Sequence, residues 1–212
     1  IPLDKDMTPI ENAKRYFERY NKLKRTYEAL LIQRKETTED INHLESISNS
    51  LYIAVNDTDL DMIKRELAES GYIKKGAGKN KNKKSNMPKS TYMHYISSDG
   101  FDIYVGRNNF QNDELTFKFA SGNDWWFHAK KMPGSHVIVR TGGKELPDRT
   151  FEEAASLAAY YSKGRDQDKV EIDYVIKKEV KKPASAKPGF VVYYTNYSMM
   201  ASTDISAIKQ AD

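Results

Sequence analysis

Apolar and large residues recur along the first quarter of the chain at Ile10, Ala13, Phe17, Tyr20, Tyr27, Leu30, Ile41, Leu44, Leu51 and Val55. The steps alternate between three and four or are multiples of that, with Lys24, Arg34, Thr37 and Ser48 interrupting. Such spacing predicts one helix of roughly 46 residues carrying a narrow heptad-like stripe, with no Gly or Pro inside it. Thr8-Pro9 supplies the start: Thr as N-cap, Pro at the first helical position, and Glu11 as the returning partner of a capping box. A seam this narrow does not bury itself. It predicts a coiled-coil arm, with the partner helix in the same chain or another.

Asn56-Asp57-Thr58 breaks the period. A second helix is expected over residues 59–70, with Leu60, Ile63 and Leu67 on one face and Gly71 closing it. Next comes KKGAGKNKNKKSNMPKS, which has no apolar period and reads as a flexible linker. From Thr91 the pattern changes to period two. TYMHYIS and FDIYVG flank Ser98-Asp99-Gly100 as a hairpin. Residues 107–120 read as a polar turn and a short helix, WWFHA and SHVIVR as a strand pair around MPG, and FEEAASLAAYYSK as a helix. VEIDYVIKKEV and GFVVYYTN then read as two long strands. Strands mixed with hairpins rather than regular crossovers predict an α+β fold. The expected organisation is a helical coiled-coil arm over 1–72, a lysine-rich linker over 73–90, and a mixed α+β domain over 91–212 built on β-hairpins with two helices.

Charge sharpens this picture. The formal net charge is +4. Residues 1–72 hold 11 Lys/Arg against 14 Asp/Glu, and residues 91–212 hold 16 of each sign. The basic excess is therefore the linker alone, whose seven lysines are Lys74, Lys75, Lys79, Lys81, Lys83, Lys84 and Lys89. They suit a polyanion-binding tether, which would make binding steeply salt-dependent. The absence of cysteine excludes disulfides, thiol nucleophiles and cysteine-ligated zinc, and fits a cytoplasmic protein. No apolar run approaches the roughly 18–20 residues of a membrane span, so no membrane insertion is expected. The chain opens on Ile1, and its start is not read for targeting.

Four stretches carry candidate chemistry. DWWFHAKKMPGSHVIVR holds both tryptophans and two of the four histidines. His128 and His136 flank a Pro-Gly turn, but zinc needs a third ligand. No HExxH, GxSxG, P-loop or GxGxxG motif is present, so neither catalysis, nor a metal, nor any cofactor is expected. Pro133-Gly134 suits a turn that aims backbone N–H groups one way, and with Lys130, Lys131, Ser135 and His136 it reads as an anion cradle. On a strand Trp125 and Trp126 face opposite sides, one in the core and the other either stacking on a base or covering the domain. RNNFQND offers Arg107, Asn108, Asn109, Gln111 and Asn112, more donors than helix capping uses, and such donors hold phosphate or base edges. KKEVKKPASAKPG crowds Lys177, Lys178, Lys181, Lys182 and Lys187 around a loop, with only Glu179 opposing.

Three of these motifs, in order, resemble the NFACT-R module: YISSDGFDIYVGRNNFQNDELTFKFA, then DWWFHAKKMPGSHVIV, then VEIDYVIKKEVKKPASAKPGFVVYY. ENAKRYFERYNKLKRTYE resembles the coiled-coil middle region of the same NFACT family, so the likeness covers nearly the whole chain. The matched positions are Asp99-Gly100, Gly106 to Asn109, Gln111 to Asp113, Trp126 to His128, Pro133 to His136, and Lys181 to Pro183. The resemblance implies a role on a large ribosomal subunit obstructed by an unfinished peptide and its tRNA, where the full-length factor supports alanine tailing. RNA contact is then expected from Arg107, Asn108, Asn109, Gln111, Asn112, His128, Lys130, Lys131, Gly134, Ser135, His136, Lys178, Lys181 and Lys182. The family's N-terminal tRNA-recognition domain and helix-hairpin-helix region have no counterpart in these 212 residues, so tail synthesis is not expected from this stretch alone. The family also carries a competing expectation, a cell-surface adhesin binding fibronectin or fibrinogen without a signal peptide.

Overall fold

In a computed structural model the described residues form four α-helices and a seven-stranded antiparallel sheet. The structure describes residues 1–74, 92–184 and 186–211. Six of the seven tether lysines, all but Lys74, lie outside the described residues. The chain divides into two compact units, residues 1–44 and 45–212. No described helix is long and apolar enough to cross a membrane.

In the first unit, helix α1 (Pro9–Ile53) begins where the sequence places it. Thr8 N–H donates to Glu11 Oε2 at 2.8 Å and Glu11 N–H donates to Thr8 Oγ1 at 3.3 Å, closing the capping box. The hydrogen bond from the Thr8 backbone, seconded by the Thr8 hydroxyl, lowers the Glu11 pKa. Upstream residues are tied down by Asn12, which accepts from Asp4 N–H at 2.8 Å and donates to the Asp4 carbonyl at 2.9 Å. Phe17, Tyr20, Tyr27 and Leu30 are all more than half exposed, so the stripe stands uncovered among the described residues.

The second unit starts with the last turns of α1 and continues through α2 (Asp57–Glu69). The α2 start lies two residues before the expected one, because Asn56 is the cap: its Oδ1 accepts from Asp59 N–H at 2.9 Å. Strands β1 (Met93–Ile96) and β2 (Asp102–Val105) form the expected hairpin, with Gly100 at φ +82° in its turn. Helix α3 (Asn109–Glu114) passes into a π turn over Leu115–Phe119, in which Ala120 N–H reaches back to the Leu115 carbonyl at 2.9 Å. The remaining elements are β3 (Trp125–Ala129), β4 (Val137–Val139), α4 (Asp148–Tyr160), β5 (Lys169–Ile176), β6 (Tyr197–Ser202) and β7 (Lys209–Gln210). Their order across the sheet is β6-β5-β3-β4-β2-β1-β7.

Alternation along the strands sorts residues onto two faces. One face, with Ile103, Val105, Phe127, Val137, Val139 and Ile172, packs against α4. That helix presents Ala154, Ala155, Ala158 and Ala159 beside Leu157, all fully buried, so its backbone sits close to the sheet. The other face, with Trp126, Ile138 and Val175, is covered by Leu115, Phe117, Phe119, Val180, Val191 and Tyr193.

GFVVYYTN departs from the strand expected of it. Only Lys181 and Val192 form a bridge, and the sheet strand begins later, at Tyr197. The reason is packing. Val191 and Tyr193 turn in over Trp126, and Tyr193 donates its hydroxyl to Asp173 Oδ2 at 2.8 Å, so this segment crosses the sheet face instead of extending its edge. Likewise β5 stops at Ile176 and the 3-10 turn Lys177–Glu179 follows it.

Candidate nucleic-acid interface

The donors of RNNFQND turn inward. Asn108, Asn109, Gln111 and Asn112 are all buried. Asn108 caps α3 by accepting from Gln111 N–H at 3.0 Å, and Gln111 Oε1 accepts from Arg107 N–H at 3.0 Å. Asn109 Nδ2 donates at 2.8 Å both to Glu66 Oε1 on α2 and to Ser46 Oγ on α1. Arg107 pairs with Asp59 Oδ2 at 3.3 Å, its side chain 16% exposed and that of Asp59 4%. The surplus over capping is thus used to dock the last turns of α1 and all of α2 onto the sheet domain. Direct RNA contact expected of Asn108, Asn109, Gln111 and Asn112 is corrected accordingly, since burial leaves them no open donor face, while half-buried Arg107 is engaged by Asp59.

PGSH joins the same network from the other side. His136 N–H donates to Asn112 Oδ1 at 3.0 Å, and Ser135 N–H donates to the Tyr161 carbonyl at 3.0 Å. Both amides of the expected anion cradle are therefore engaged within the protein, and Ser135 and His136 are buried. Gly134 is half-buried and bridges to Ser162, whose Cβ lies 3.2 Å from where a Gly134 Cβ would stand. His136 Nδ1 shares a 2.8 Å hydrogen bond with Thr116 Oγ1. Burial holds the His136 pKa well below its ordinary value, with the neighbouring His128 acting in the same direction. Burial also pushes His128 down to about 4, opposed by the Gly134 backbone and the Asp173 carboxylate. At neutral pH both rings are uncharged and serve packing, with Trp126 edge-on to His136 at 5.1 Å. Ser135 and His136 are thus corrected from contact residues to supporting ones, while His128 and Gly134 stand half-buried beside them.

The cations divide into held and open ones. Lys130 Nζ pairs with Glu171 at 2.6 Å and sits 3.8 Å from Asp173. Lys182 pairs with Asp113, which also accepts from Gly189 N–H at 3.0 Å. Lys187 donates to the Tyr72 hydroxyl at 3.0 Å. Lys131 is exposed on a left-handed backbone at φ +56°. Lys178 and Lys181 are exposed, and among the described residues neither has an ion-pair partner. They stand on the segment leaving β5, whose backbone is fixed by Lys178 N–H to the Gly122 carbonyl at 3.1 Å and by paired Lys181–Val192 hydrogen bonds of 2.9 Å. Lys177 lies over the Phe117 ring at 5.8 Å.

Aromatic exposure on the returning segment is not signalled by local sequence. Phe190, Tyr194 and Tyr197 are 56%, 84% and 62% exposed. The long-range packing of Val191 and Tyr193 decides which neighbours face out, and Tyr197 stays exposed even though it pairs with Tyr174 in β6. The two tryptophans do separate: Trp126 is fully buried, while Trp125 is only partly so and packs on Phe151, Tyr174 and Tyr197. Among the described residues no three His, Asp or Glu side chains converge as a metal site.

Comparison with known proteins places this arrangement. Residues 1–86 match the NFACT N-terminal and middle domains, and residues 91–195 match the NFACT protein RNA binding domain. The chain belongs to the NFACT family. It is 40% identical to the Rqc2 homolog RqcH of Streptococcus pneumoniae over 209 residues, which are 98% of this chain and 37% of that protein. It is 38% identical to RqcH of Bacillus subtilis over 98% of this chain and 36% of that one. The NFACT stretch in hand thus spans a little over a third of the length of these relatives. A solved structure, the C-terminal of the fibronectin/fibrinogen-binding protein from Streptococcus suis, superposes with a TM-score of 0.81 at 37% identity. The match covers 97% of this chain and 81% of that one.

Proposed function

We propose that this stretch is the RNA-contacting C-terminal part of a ribosome-associated quality-control factor that acts on obstructed large ribosomal subunits and tRNA. The observation that carries the reading is a coincidence of place. The residues matching an RNA binding domain are those that present Lys178 and Lys181 to solvent, with no ion-pair partner among the described residues. Open cations of this kind engage phosphates, whereas the held ones already have partners. Lys131 joins them, and Lys130 and Lys182 join by exchanging an acid for a phosphate. The exposed stripe of α1 is a coiled-coil seam, residues 1–72 an arm, and the lysine-rich stretch 73–90 a polyanion tether. The stretch binds and positions rather than catalyses, works in the cytoplasm, and contributes to alanine tailing only within the longer protein.

Likeness to a fibronectin/fibrinogen-binding protein supports a second reading, adhesion to a host glycoprotein. One experiment separates the two. The protein is titrated with tRNA and with fibronectin at about 50 mM and about 200 mM salt, alongside the double variant Lys178→Gln/Lys181→Gln. On the RNA reading, tRNA binds and the double variant lowers the slope of log affinity against log salt by about 2. Salt-resistant fibronectin binding with no tRNA binding establishes the adhesin reading instead.

A further inference from the structure

The register of three strands assembles an aromatic column. Phe127 on β3 stands opposite Tyr174 on β5, and Tyr174 stands opposite Tyr197 on β6. Phe127 and Tyr174 stack at 5.6 Å with their planes 15° apart, and Tyr174 and Tyr197 stack at 5.5 Å and 29°. One end of the column is sealed, since Phe127 is fully buried; the other is open, since Tyr197 is 62% exposed. Strand β6 is the last in the sheet, so among the described residues no further strand stands beyond Tyr197. Trp125 braces the outer two rings, tilted by 47° and 49° at 5.9 and 6.4 Å.

We propose that the open end of this column stacks an unpaired base of single-stranded RNA. This rests on the RNA reading above and adds which form of RNA the domain takes. An exposed tyrosine held flat by a buried stack is pre-ordered, so a planar ring adds to it with little loss of side-chain freedom. A base inside a duplex already has both faces covered and cannot reach it. Phosphates flanking the stacked base meet cations close by: Lys178 follows Tyr174 by four residues along β5 and its exit, at most about 13 Å.

The test measures anisotropy of a labelled oligouridylate and of an RNA duplex of equal length, with wild type, Tyr197→Ala and Tyr197→Phe. Tyr197→Ala is expected to weaken the single strand by about tenfold and the duplex by less than about twofold, while Tyr197→Phe keeps wild-type affinity. Native thermal unfolding of Tyr197→Ala accompanies the result. If wild type binds RNA but Tyr197→Ala leaves the single strand unaffected, or weakens both forms equally, stacking is overturned and the RNA reading stands. If wild type binds neither form, the RNA reading falls and stacking falls with it.

Discussion

Replacing Gly106 by alanine tests whether Asn112 is the joint between the two polar motifs. Gly106 has no left-handed backbone angle, so the added methyl brings no conformational strain and acts through space alone. Its Cβ would overlap Asn112 Oδ1, which forces the amide to move. That oxygen accepts from His136 N–H at 3.0 Å, and Nδ2 approaches the Gly134 carbonyl at 3.5 Å. A buried N–H left without a partner costs about 1–3 kcal/mol, and the displaced buried amide adds a similar amount, for a total of about 2–6 kcal/mol. In a unit of this size each kcal/mol moves the melting temperature by about 2–4 °C, so a loss on the order of 10 °C is expected by circular dichroism. Faster exchange of the His136 amide should accompany it. Gly106→Ala should also cost less in an Asn112→Ala background, since the obstructing oxygen is gone. Melting within about 1 °C of wild type, or full additivity of the two changes, would refute this account of Asn112.

Three further outcomes are expected. Arg107→Ala should destabilise the protein by roughly 3 kcal/mol in urea unfolding, because it strands the nearly buried Asp59 carboxylate; unchanged stability with weaker RNA binding would show Arg107 to be a contact residue after all. His128 and His136 are neutral when folded and have folded pKa values below those of the unfolded chain. Their contribution is therefore complete above about pH 6.5 and is lost as pH falls from there, toward about 4 in the case of His128. Urea midpoints should decline between about pH 6.5 and 5, and a flat profile would contradict the burial of both rings. Replacing the seven tether lysines by Gln should flatten the salt dependence of RNA binding more than it changes preference among RNAs, measured by titration at several ionic strengths.

Local signals were legible wherever local physics decides. The Thr8–Glu11 box, the Ser98-Asp99-Gly100 turn and the alanine-rich α4 are visible because each depends on neighbours within a few residues. The opposed faces of Trp125 and Trp126 follow from strand alternation alone. RNNFQND shows the limit. Its excess of donors over capping was readable, but their partners Ser46, Asp59 and Glu66 lie 43 to 63 residues away. Inward and outward use of an amide looks the same in sequence. The same holds for VVYYTNY, where strand propensity is genuine yet the packing of Val191 and Tyr193 on Trp126 carries the chain across the face and delays pairing to Tyr197.

The π turn at Leu115–Phe119 sets a constraint on length. Its wider loop of backbone lets Phe117 reach Lys177 while Phe119 reaches Tyr92, Tyr104 and Arg140, at 5.3, 4.7 and 4.9 Å for the last three. Deleting a single residue here, such as Lys118, would convert it to an ordinary helical turn and rotate the downstream chain by about 100°. Phe119 would then leave all three partners at once. Insertions and deletions should accumulate instead at Gly142-Gly143, where open space surrounds the backbone, while the count of residues between Asn108 and Ala120 stays fixed.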